Sequence, residues 1–320
     1  MKEKKTRVRI GVIGIGHLGT YHLQKYSRIN QCTLSAVVDT VADRAQKAGR
    51  EYHCPFFTDT RELIGRVDAV SITVPTEHHH GAARELLASG IDVLVEKPIT
   101  ATLREADDLI SVAEKSGALL QVGLIERFNP AITALDSLMG NPLFIESHRL
   151  HPFFHRGTDV DVVLDLMIHD LDIVLHYVPF PIRDVEAVGI PVLSDKIDIA
   201  NARITFGNGC VANITASRVT GKKMQKIRFF GPEGYHSVDY GKRELVSLAR
   251  KRGPGGEVEI TPNAVDVEQY DPLEREIRAF VHSVITREPP AVSGREGRRS
   301  LELACLILEK MKTGEEYLKP

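Results

Sequence analysis

The sequence of 320 residues contains no tryptophan and only four cysteines, Cys32, Cys54, Cys210 and Cys305. These cysteines are scattered and form no C-x-x-C pair, which argues against a disulfide framework or a zinc ribbon and favours a reducing, cytoplasmic location. No apolar run approaches the length that spans a bilayer, and the polar N-terminal stretch lacks the apolar core of a signal peptide. We therefore expect no association with a membrane.

Acidic and basic residues are nearly balanced in number. The chain has 41 Lys and Arg residues and 43 Asp and Glu residues, which gives a formal net charge of -2. A chain without a strong basic excess is a poor binder of the phosphate backbone, so nucleic acid is not an expected partner. Hydrophobic residues make up 42% of the chain, which predicts a folded globular protein. The length favours two domains, because one hydrophobic core rarely grows this large.

The first part of the chain alternates short apolar runs with helix-like segments. The runs are Val8–Gly14, Leu34–Asp39, Asp68–Pro75, Ile91–Glu96 and Ala118–Gly123. Near-continuous apolar strands separated by helical crossovers are typical of a parallel sheet covered on both faces. The fold class is therefore α/β, with a doubly wound Rossmann domain predicted over residues 1–123.

A different pattern follows and predicts an α+β domain over residues 124–320. A strand is expected at Leu143–Leu150 and a long helix at about Asp161–Tyr177. A run of strands comes next, with a hairpin signal at 207–209, and predicts a largely antiparallel open sheet. The predicted strands are Ala200–Phe206, Cys210–Ser217, Gln225–Gly231, Gly234–Tyr240 and Glu244–Ala249. Two final helices, at about Pro272–Thr286 and Gly294–Lys312, have apolar residues at helical spacing.

A glycine-rich loop, Gly14-Ile15-Gly16-His17-Leu18-Gly19, directly follows the first predicted strand and opens the first helix. Gly14 permits a tight turn, and Gly16 lets the backbone approach a pyrophosphate at the helix N-terminus. Gly19 lets helix and strand pack closely. In this βαβ context the loop, with His17 and Leu18 inside it, is interpreted as a dinucleotide site rather than as a simple glycine-rich turn.

Asp39 ends the second predicted strand, 25 positions after Gly14. A carboxylate there can accept hydrogen bonds from the ribose hydroxyls of adenosine, and it repels a 2′-phosphate. An ordinary strand-end acid is the alternative interpretation, and the nearby Arg44 leaves use of both cofactors open. The sequence favours NAD over NADP.

Four further motifs accompany the glycine loop at characteristic spacings. They are Val74-Pro75-Thr76 with His79 beyond it, Glu96-Lys97-Pro98, Arg127-Phe128-Asn129-Pro130, and the segment DLMIHDLD at 165–172. Taken in this order, the motifs resemble those of the glucose-fructose oxidoreductase / inositol dehydrogenase family, the Gfo/Idh/MocA group. The resemblance covers almost the whole chain.

The resemblance implies an NAD(P)-dependent oxidoreductase that acts on a sugar, cyclitol or nucleotide-sugar hydroxyl. It also implies that the open sheet forms subunit contacts, so a homodimer or homotetramer is expected. The family's active-site lysine falls on Lys97, before a proline, Pro98, whose peptide bond is often cis. Its Asp-x-x-x-His pair falls on Asp165 and His169. The remaining cofactor contacts that we carry over are Pro75, Thr76, where the family often has Asn, His79, Glu96 and Lys97.

The chemistry of these residue types agrees with the implied roles. Oxidation of an alcohol removes the hydroxyl proton while a hydride leaves the same carbon, and a neutral imidazole such as His169 can take that proton. Lys97 can stabilise the developing alkoxide, and Asp165, one helical turn before His169, can hold the hydroxyl or orient the imidazole. The predicted substrate contacts are Lys97, Arg127, Arg149, Asp165 and His169.

Several alternatives stay open. Lys97 can be an exposed strand-end cation, and His169 a hydrogen-bonded histidine in a half-buried helix. Asp165, His169 and Asp172 have spacings that also suit a metal, although no metal site is predicted. The run 78–80 of three histidines favours a helix start over a metal site. A donor-rich group suits an anionic or polyhydroxylated ligand or is a functionless surface cluster; it comprises His148, Arg149, His151, His155 and Arg156.

Within the family, residues 122–130 and 164–173 most resemble the branch that oxidises UDP-N-acetylhexosamines, such as UDP-N-acetylglucosamine, at the 3-hydroxyl. The expected substrate is therefore a small molecule, a nucleotide sugar. The first alternative is a dehydrogenase of a free cyclitol or sugar. The second is a dinucleotide-binding regulator without catalytic activity.

Overall fold

The computed structural model describes residues 7–153, 160–252 and 257–314. Its Cα positions divide into two compact units. The first unit contains the described residues up to Ile125 together with Asp271–Arg298, and the second contains Glu126–Tyr270 and the described chain from Arg299 onward. A C-terminal segment thus belongs to the first compact unit, whereas the functional division after residue 123 stays a prediction.

Fourteen strands are present in the described ranges. They are β1 (Val8–Ile13), β2 (Cys32–Val38), β3 (Phe56–Phe57), β4 (Ala69–Ile72), β5 (Asp92–Glu96), β6 (Leu120–Gly123), β7 (Phe144–Leu150), β8 (Ile182–Ile190), β9 (Ile199–Phe206), β10 (Val211–Ser217), β11 (Met224–Gly231), β12 (Gly234–Asp239), β13 (Glu244–Arg252) and β14 (Val258–Asn263).

The described chain also has eight α-helices. They are α1 (His17–Tyr26), α2 (Ala42–Glu51), α3 (His79–Ala88), α4 (Leu103–Ser116), α5 (Pro130–Leu135), α6 (Ile168–Tyr177), α7 (Pro272–Thr286) and α8 (Gly294–Gly314). None of the helices in the described ranges is long and apolar enough to cross a membrane.

The first unit is built on a six-stranded sheet in the order β3-β2-β1-β4-β5-β6, and all its neighbouring strands are parallel. Strands β1, β4 and β5 are almost wholly buried, as expected for a sheet covered on both faces. The predicted doubly wound Rossmann sheet is confirmed. The sequence prediction missed β3, which has only two residues.

Helix α7 completes the core of this unit. Its Ile277, Phe280 and Val281 are at most 1% exposed and belong to the same apolar cluster as Val8 and Ile10 of β1. Removing such a side chain from water is worth about 1.5–3 kcal/mol. A helix far along the chain therefore contributes directly to the stability of the first unit.

The second unit contains an eight-stranded sheet in the order β14-β13-β12-β11-β7-β10-β9-β8. Only β7 and β10 pair in parallel, and the other neighbours are antiparallel. The predicted largely antiparallel open sheet is confirmed, with its hairpin at 207–209. The prediction missed β8 and β14, which are the two edge strands.

The segment predicted as one long helix has two parts. Residues Val163–Met167 form a π-helical turn, and α6 follows from Ile168. The wide turn is visible in the bond that the Ile168 N–H donates to the Val163 carbonyl oxygen. Such turns occur often at functional sites. Here the turn carries Asp165, and His169 is the second residue of α6.

Candidate active site

The glycine loop joins β1 to α1 and is tightly packed at Gly14 and Gly19. Gly14 has a φ of 87°, a conformation that L side chains rarely adopt. A Cβ at Gly19 would lie 1.9 Å from the Gly14 carbonyl oxygen, whereas a Cβ at Gly16 would meet no atom within 4 Å. Gly16 precedes α1 and is exposed, and no side chain caps the helix. The free N–H groups and open space at this helix start fit the pyrophosphate of a dinucleotide.

Asp39 lies directly after β2 and is 5% exposed. Its Oδ2 accepts the Ile15 N–H at 2.7 Å, and its Oδ1 accepts the Val41 N–H at 2.8 Å. The half-exposed Arg44 donates from Nη2 to the same Oδ1 at 2.9 Å. The carboxylate therefore holds the glycine loop in place at the point where the adenosine ribose of a dinucleotide would bind.

The loop after β4 contains Pro75, Thr76 and His79. Pro75 is exposed, and Thr76 begins a short 3-10 turn that leads into α3. His79 is 1% exposed, and both of its ring nitrogens face backbone carbonyl oxygens. Nδ1 lies 2.9 Å from the Pro98 oxygen and Nε2 lies 2.9 Å from the Val74 oxygen. Burial lowers the pKa of His79, against the opposing effect of these carbonyl groups.

Glu96 and Lys97 lie at the carboxyl end of β5, the edge at which open parallel sheets bind ligands. Glu96 Oε1 lies 3.2 Å from Nε2 of His22, a completely buried residue of α1. Gly123 leaves room for this carboxylate, because a Cβ at 123 would lie 3.1 Å from Glu96 Cδ. Lys97 is half-buried, and its peptide bond to Pro98 is cis, as the family resemblance implied.

Glu276 of α7 is a residue that the sequence analysis missed. It is 0% exposed, and neither carboxyl oxygen has a hydrogen-bond partner among the described residues. Burial raises the pKa of Glu276 well above its ordinary value, and the negative charge of Glu96 raises it further. The available signal was its position on the apolar stripe of α7, between Leu273 and Phe280. Burial without a hydrogen-bond partner thus favours the neutral form of Glu276 in the core of the first unit.

The second unit carries the other predicted catalytic residues. Asp165 and His169 are both half-buried, and the carboxylates of Asp170 and Asp172 on the same helix are 0% and 2% exposed. Asp172 accepts hydrogen bonds from Arg127 Nε at 2.9 Å and from Ser300 Oγ at 3.3 Å. Asp172, the third residue of the alternative metal set, is therefore bound to an arginine.

Arg149 is also engaged within the second unit. It is 2% exposed, and its Nε donates to Asp170 Oδ2 at 2.6 Å. Its Nη1 donates to Glu126 Oε1 at 2.9 Å, and the guanidinium lies over the Tyr240 ring at 4.7 Å. These contacts argue for a structural role of Arg149, and the geometry gives no support to its predicted contact with substrate. Arg127 is similarly enclosed, with a side chain only 9% exposed.

The donor-rich group before α6 is only partly described. His148 and His151 are half-buried, and His151 Nε2 lies 2.8 Å from Gln225 Nε2. His155 and Arg156 lie outside the described residues. Within the ranges that the structure describes, no group of three or more His, Cys, Asp or Glu residues is arranged to hold a metal ion.

A parallel sheet in this strand order, with a glycine loop at the first crossover and an acid after the second strand, defines a dinucleotide-binding protein. Comparison of the sequence with models of known protein families narrows this class of protein. Residues 8–124 match the model for an oxidoreductase family with an NAD-binding Rossmann fold, and residues 135–237 match the model of the GFO/IDH/MocA C-terminal domain. The chain belongs to the Gfo/Idh/MocA family, and it is an oxidoreductase whose cofactor is NAD.

Individual relatives show how far the similarity extends. UDP-N-acetylglucosamine 3-dehydrogenase of Acidithiobacillus ferrooxidans is 40% identical over 94% of this chain and 96% of its own. A solved structure of that enzyme superposes with a TM-score of 0.89, covering 96% of this chain and 98% of the other. Myo-inositol 2-dehydrogenase of Thermotoga maritima is 28% identical over 92% of this chain and 94% of its own.

Proposed function

We propose that the protein oxidises the 3-hydroxyl of a UDP-N-acetylhexosamine, UDP-N-acetylglucosamine in the first instance, to a 3-keto sugar. The observation that carries this proposal is the 40% identity, over nearly the full length of both chains, to an enzyme of that name. The catalytic-site motifs lie inside this matched length. The free-cyclitol alternative rests on the weaker, 28% identity to an inositol dehydrogenase.

The first unit supplies the cofactor half of the proposed site. The loop of Gly14, Gly16 and Gly19, with His17 and Leu18 between them, would hold the pyrophosphate, and Asp39 the adenosine ribose. The ends of β4 and β5, with Pro75, Thr76, His79, Glu96 and Lys97, would border the nicotinamide. When bound, NAD supplies the acceptor for the hydride of the sugar carbon.

In the proposed mechanism, His169 takes the proton of the sugar hydroxyl and Lys97 stabilises the negative charge that develops on its oxygen. Asp165, one turn before His169, orients the imidazole or holds the hydroxyl. Lys97, Asp165 and His169 are thus the proposed contacts to the reacting part of the substrate. Arg127 stays a predicted contact to the diphosphate or sugar.

Self-association through the second sheet completes the proposal. Exposed apolar side chains on β8, β13 and β14 include Val188, Val246 and Ile260, which are 55%, 55% and 59% exposed. β13 and β14 are neighbours at one edge of the sheet, and β8 is the opposite edge. Apolar side chains left in water on a sheet favour contact with another copy of the chain. We propose a homodimer or homotetramer in the cytoplasm, and light scattering of the purified protein would measure the mass of the assembly.

The test of the function is an assay with NAD and a panel of sugars. The panel contains UDP-N-acetylglucosamine, UDP-N-acetylgalactosamine, UDP-glucose, inositol and glucose, with NADH absorbance and product mass as readouts. We expect a product two hydrogens lighter from a UDP-N-acetylhexosamine. Oxidation of inositol or glucose alone would support the cyclitol alternative. NAD binding with no turnover of any substrate would support the regulator.

Variants test the assigned residues. Lys97→Met and His169→Ala should lower kcat by about 100-fold or more while NAD still binds, because each removes a group that acts in the transition state. Lys115→Met, at the last turn of α4, is the matched control and should keep wild-type turnover. Wild-type kcat in the Lys97 and His169 variants would refute the mechanism.

A further inference from the structure

Lys97 lies between two residues that are each held by a buried histidine. The residue before it, Glu96, has its Oε1 at 3.2 Å from His22 Nε2. The residue after it, Pro98, has its carbonyl oxygen at 2.9 Å from His79 Nδ1. His22 and His79 are 0% and 1% exposed, so neither contact competes with water.

The two histidines reach Lys97 from opposite faces of the sheet. His22 belongs to α1, which connects β1 to β2, and His79 begins α3, which connects β4 to β5. In the strand order β3-β2-β1-β4-β5-β6 these two crossovers run in opposite directions from the centre. Because both crossovers are right-handed, their helices cover opposite faces. The two neighbours of Lys97 are therefore contacted from opposite faces of the sheet, Glu96 at its side-chain carboxylate and Pro98 at its backbone carbonyl.

The second nitrogen of His79 extends this arrangement to the neighbouring strand. Its Nε2 lies 2.9 Å from the carbonyl oxygen of Val74, at the start of the loop after β4. A carbonyl oxygen only accepts hydrogen bonds, and the neutral ring that burial favours has one N–H, so His79 donates to one of the two oxygens at a time. The contact that bears on Lys97 is the one from Nδ1 to the Pro98 oxygen. One ring thus spans the loop that carries Thr76 and the loop that carries Lys97.

We propose that His22 and His79 are positioning residues for Lys97: they hold the two neighbours of the lysine and so fix where its ammonium group lies. The inference rests on the proposed role of Lys97 in catalysis. A lysine has a long, flexible side chain, and its use in a transition state depends on a fixed starting point on the backbone. His22 is assigned no contact with cofactor or substrate, and His79, at the border of the proposed nicotinamide site, is assigned no step of the reaction.

Asparagine and glutamine substitutions separate the hydrogen bonds from the packing. The Asn amide nitrogen is as many bonds from Cα as histidine Nδ1, and the Gln amide nitrogen as many as Nε2. His79→Asn therefore keeps a donor toward Pro98, and His79→Gln keeps one toward Val74. By the same logic, His22→Gln keeps the donor toward Glu96 and His22→Asn loses it.

We expect His79→Gln and His22→Asn to lower kcat by about 10-fold to 100-fold, with KM for NAD within about twofold of wild type. His79→Asn and His22→Gln should lower kcat less than the other variant at the same position, because each keeps the donor that faces a neighbour of Lys97. His80→Gln is the matched control, since the side chain of His80 on the same helix contacts Asp108 rather than β5. Thermal melts of all five variants report any loss of packing.

A second readout does not depend on turnover. Trace labelling of lysine amines with acetic anhydride, followed by peptide mass spectrometry, measures the reactivity of Lys97 against that of Lys115. We expect the Lys97 reactivity to change in His79→Gln and His22→Asn. It should stay near wild type in His79→Asn and His22→Gln. If the wild-type protein oxidises no sugar but this labelling pattern holds, the proposed function fails and the positioning stands.

Two results would overturn the inference. In the first, the Asn and Gln variants of each histidine lose kcat equally, and the loss of kcat parallels their loss of thermal stability. The second is an unchanged Lys97 reactivity in every variant while the control behaves as wild type. Either result would make His22 and His79 ordinary core residues.

Discussion

The backbone N–H of Ile15 donates to Oδ2 of Asp39 at 2.7 Å, so the strand-end acid supports the glycine loop from which it is separated by 24 residues. The same carboxylate is the group predicted to bind the adenosine ribose. Support of the loop, which is observed, and selection of the cofactor, which is proposed, thus depend on one side chain. Its replacement should affect both.

We expect Asp39→Ala to weaken NAD binding by about 10-fold to 100-fold, the range for losing hydrogen bonds to a charged group. Binding of NADP should weaken less, because the repulsive carboxylate is gone and Arg44 loses its Oδ1 partner. NAD and NADP titrations followed by calorimetry give the ratio of affinities. Asp59→Ala is the control, since Asp59 also accepts from an arginine but lies in an exposed turn. An unchanged NAD/NADP ratio would contradict the assignment of Asp39.

Two glycines of the loop should behave differently when replaced by alanine. At Gly19 the new Cβ would lie 1.9 Å from the Gly14 carbonyl oxygen, so Gly19→Ala should cost stability by about 1–3 kcal/mol or more. At Gly16 the Cβ meets nothing within 4 Å and φ is -81°, so Gly16→Ala should fold normally and bind NAD weakly. Thermal melts and NAD titrations measure both effects. Normal NAD affinity in Gly16→Ala would argue against a pyrophosphate at this helix start.

Glu276 should make the stability of the protein depend on pH. Burial raises its pKa in the folded chain, so the folded state binds a proton that the unfolded state releases. Its contribution is fully present below the ordinary glutamate pKa and is lost as the pH rises toward the folded value. The slope is up to about 1.4 kcal/mol for each pH unit.

Glu276→Gln removes this titration and should flatten the decline of unfolding free energy as the pH rises above the ordinary glutamate pKa. Urea unfolding at a series of pH values measures the two curves. Glu274→Gln, on the first turn of the same helix and paired with Arg278, is the control for loss of a carboxyl group. Parallel curves for wild type and Glu276→Gln would show that Glu276 is not a buried neutral acid.

Arg149 offers a test between a structural role and a substrate contact. Arg149→Met leaves the carboxylates of Asp170 and Glu126 without their partner, which should cost about 3–5 kcal/mol. Adding Asp170→Asn should recover part of that loss in a double-mutant cycle. A rise in the KM for the sugar, with stability unchanged, would instead support the contact predicted from the sequence.

The sequence predicted the sheet of the first unit because its strands are almost uniformly apolar. The strands it missed lie at sheet edges, where one side faces solvent and the apolar pattern is weak. In β8 the sequence Arg183-Asp184 interrupts the pattern, and Pro262 lies within β14. Edge strands tolerate both features. The interruptions in β8 and β14 therefore follow from their place at the edges of the sheet, whereas β3 is apolar but has only two residues.

Some features of the candidate site could also be predicted from the sequence, and others could not. Backbone features, such as the glycine loop and the residues after β4 and β5, are local in the sequence and were predictable. The partners of Arg149 and His22 were not, because Asp170 and Glu96 are distant in the chain and no pattern of spacing links them. A buried arginine and a ligand-binding arginine look alike until the fold supplies their neighbours.

The contribution of α7 to the first unit has a consequence for synthesis on the ribosome. When residue 125 has been made, all six strands of the parallel sheet exist, but Ile277, Phe280 and Val281 have not been translated. The apolar surface of β1 that they cover stays exposed until the chain is nearly complete. We expect the nucleotide-binding half to reach its final stability only late in translation, after the whole second sheet has emerged.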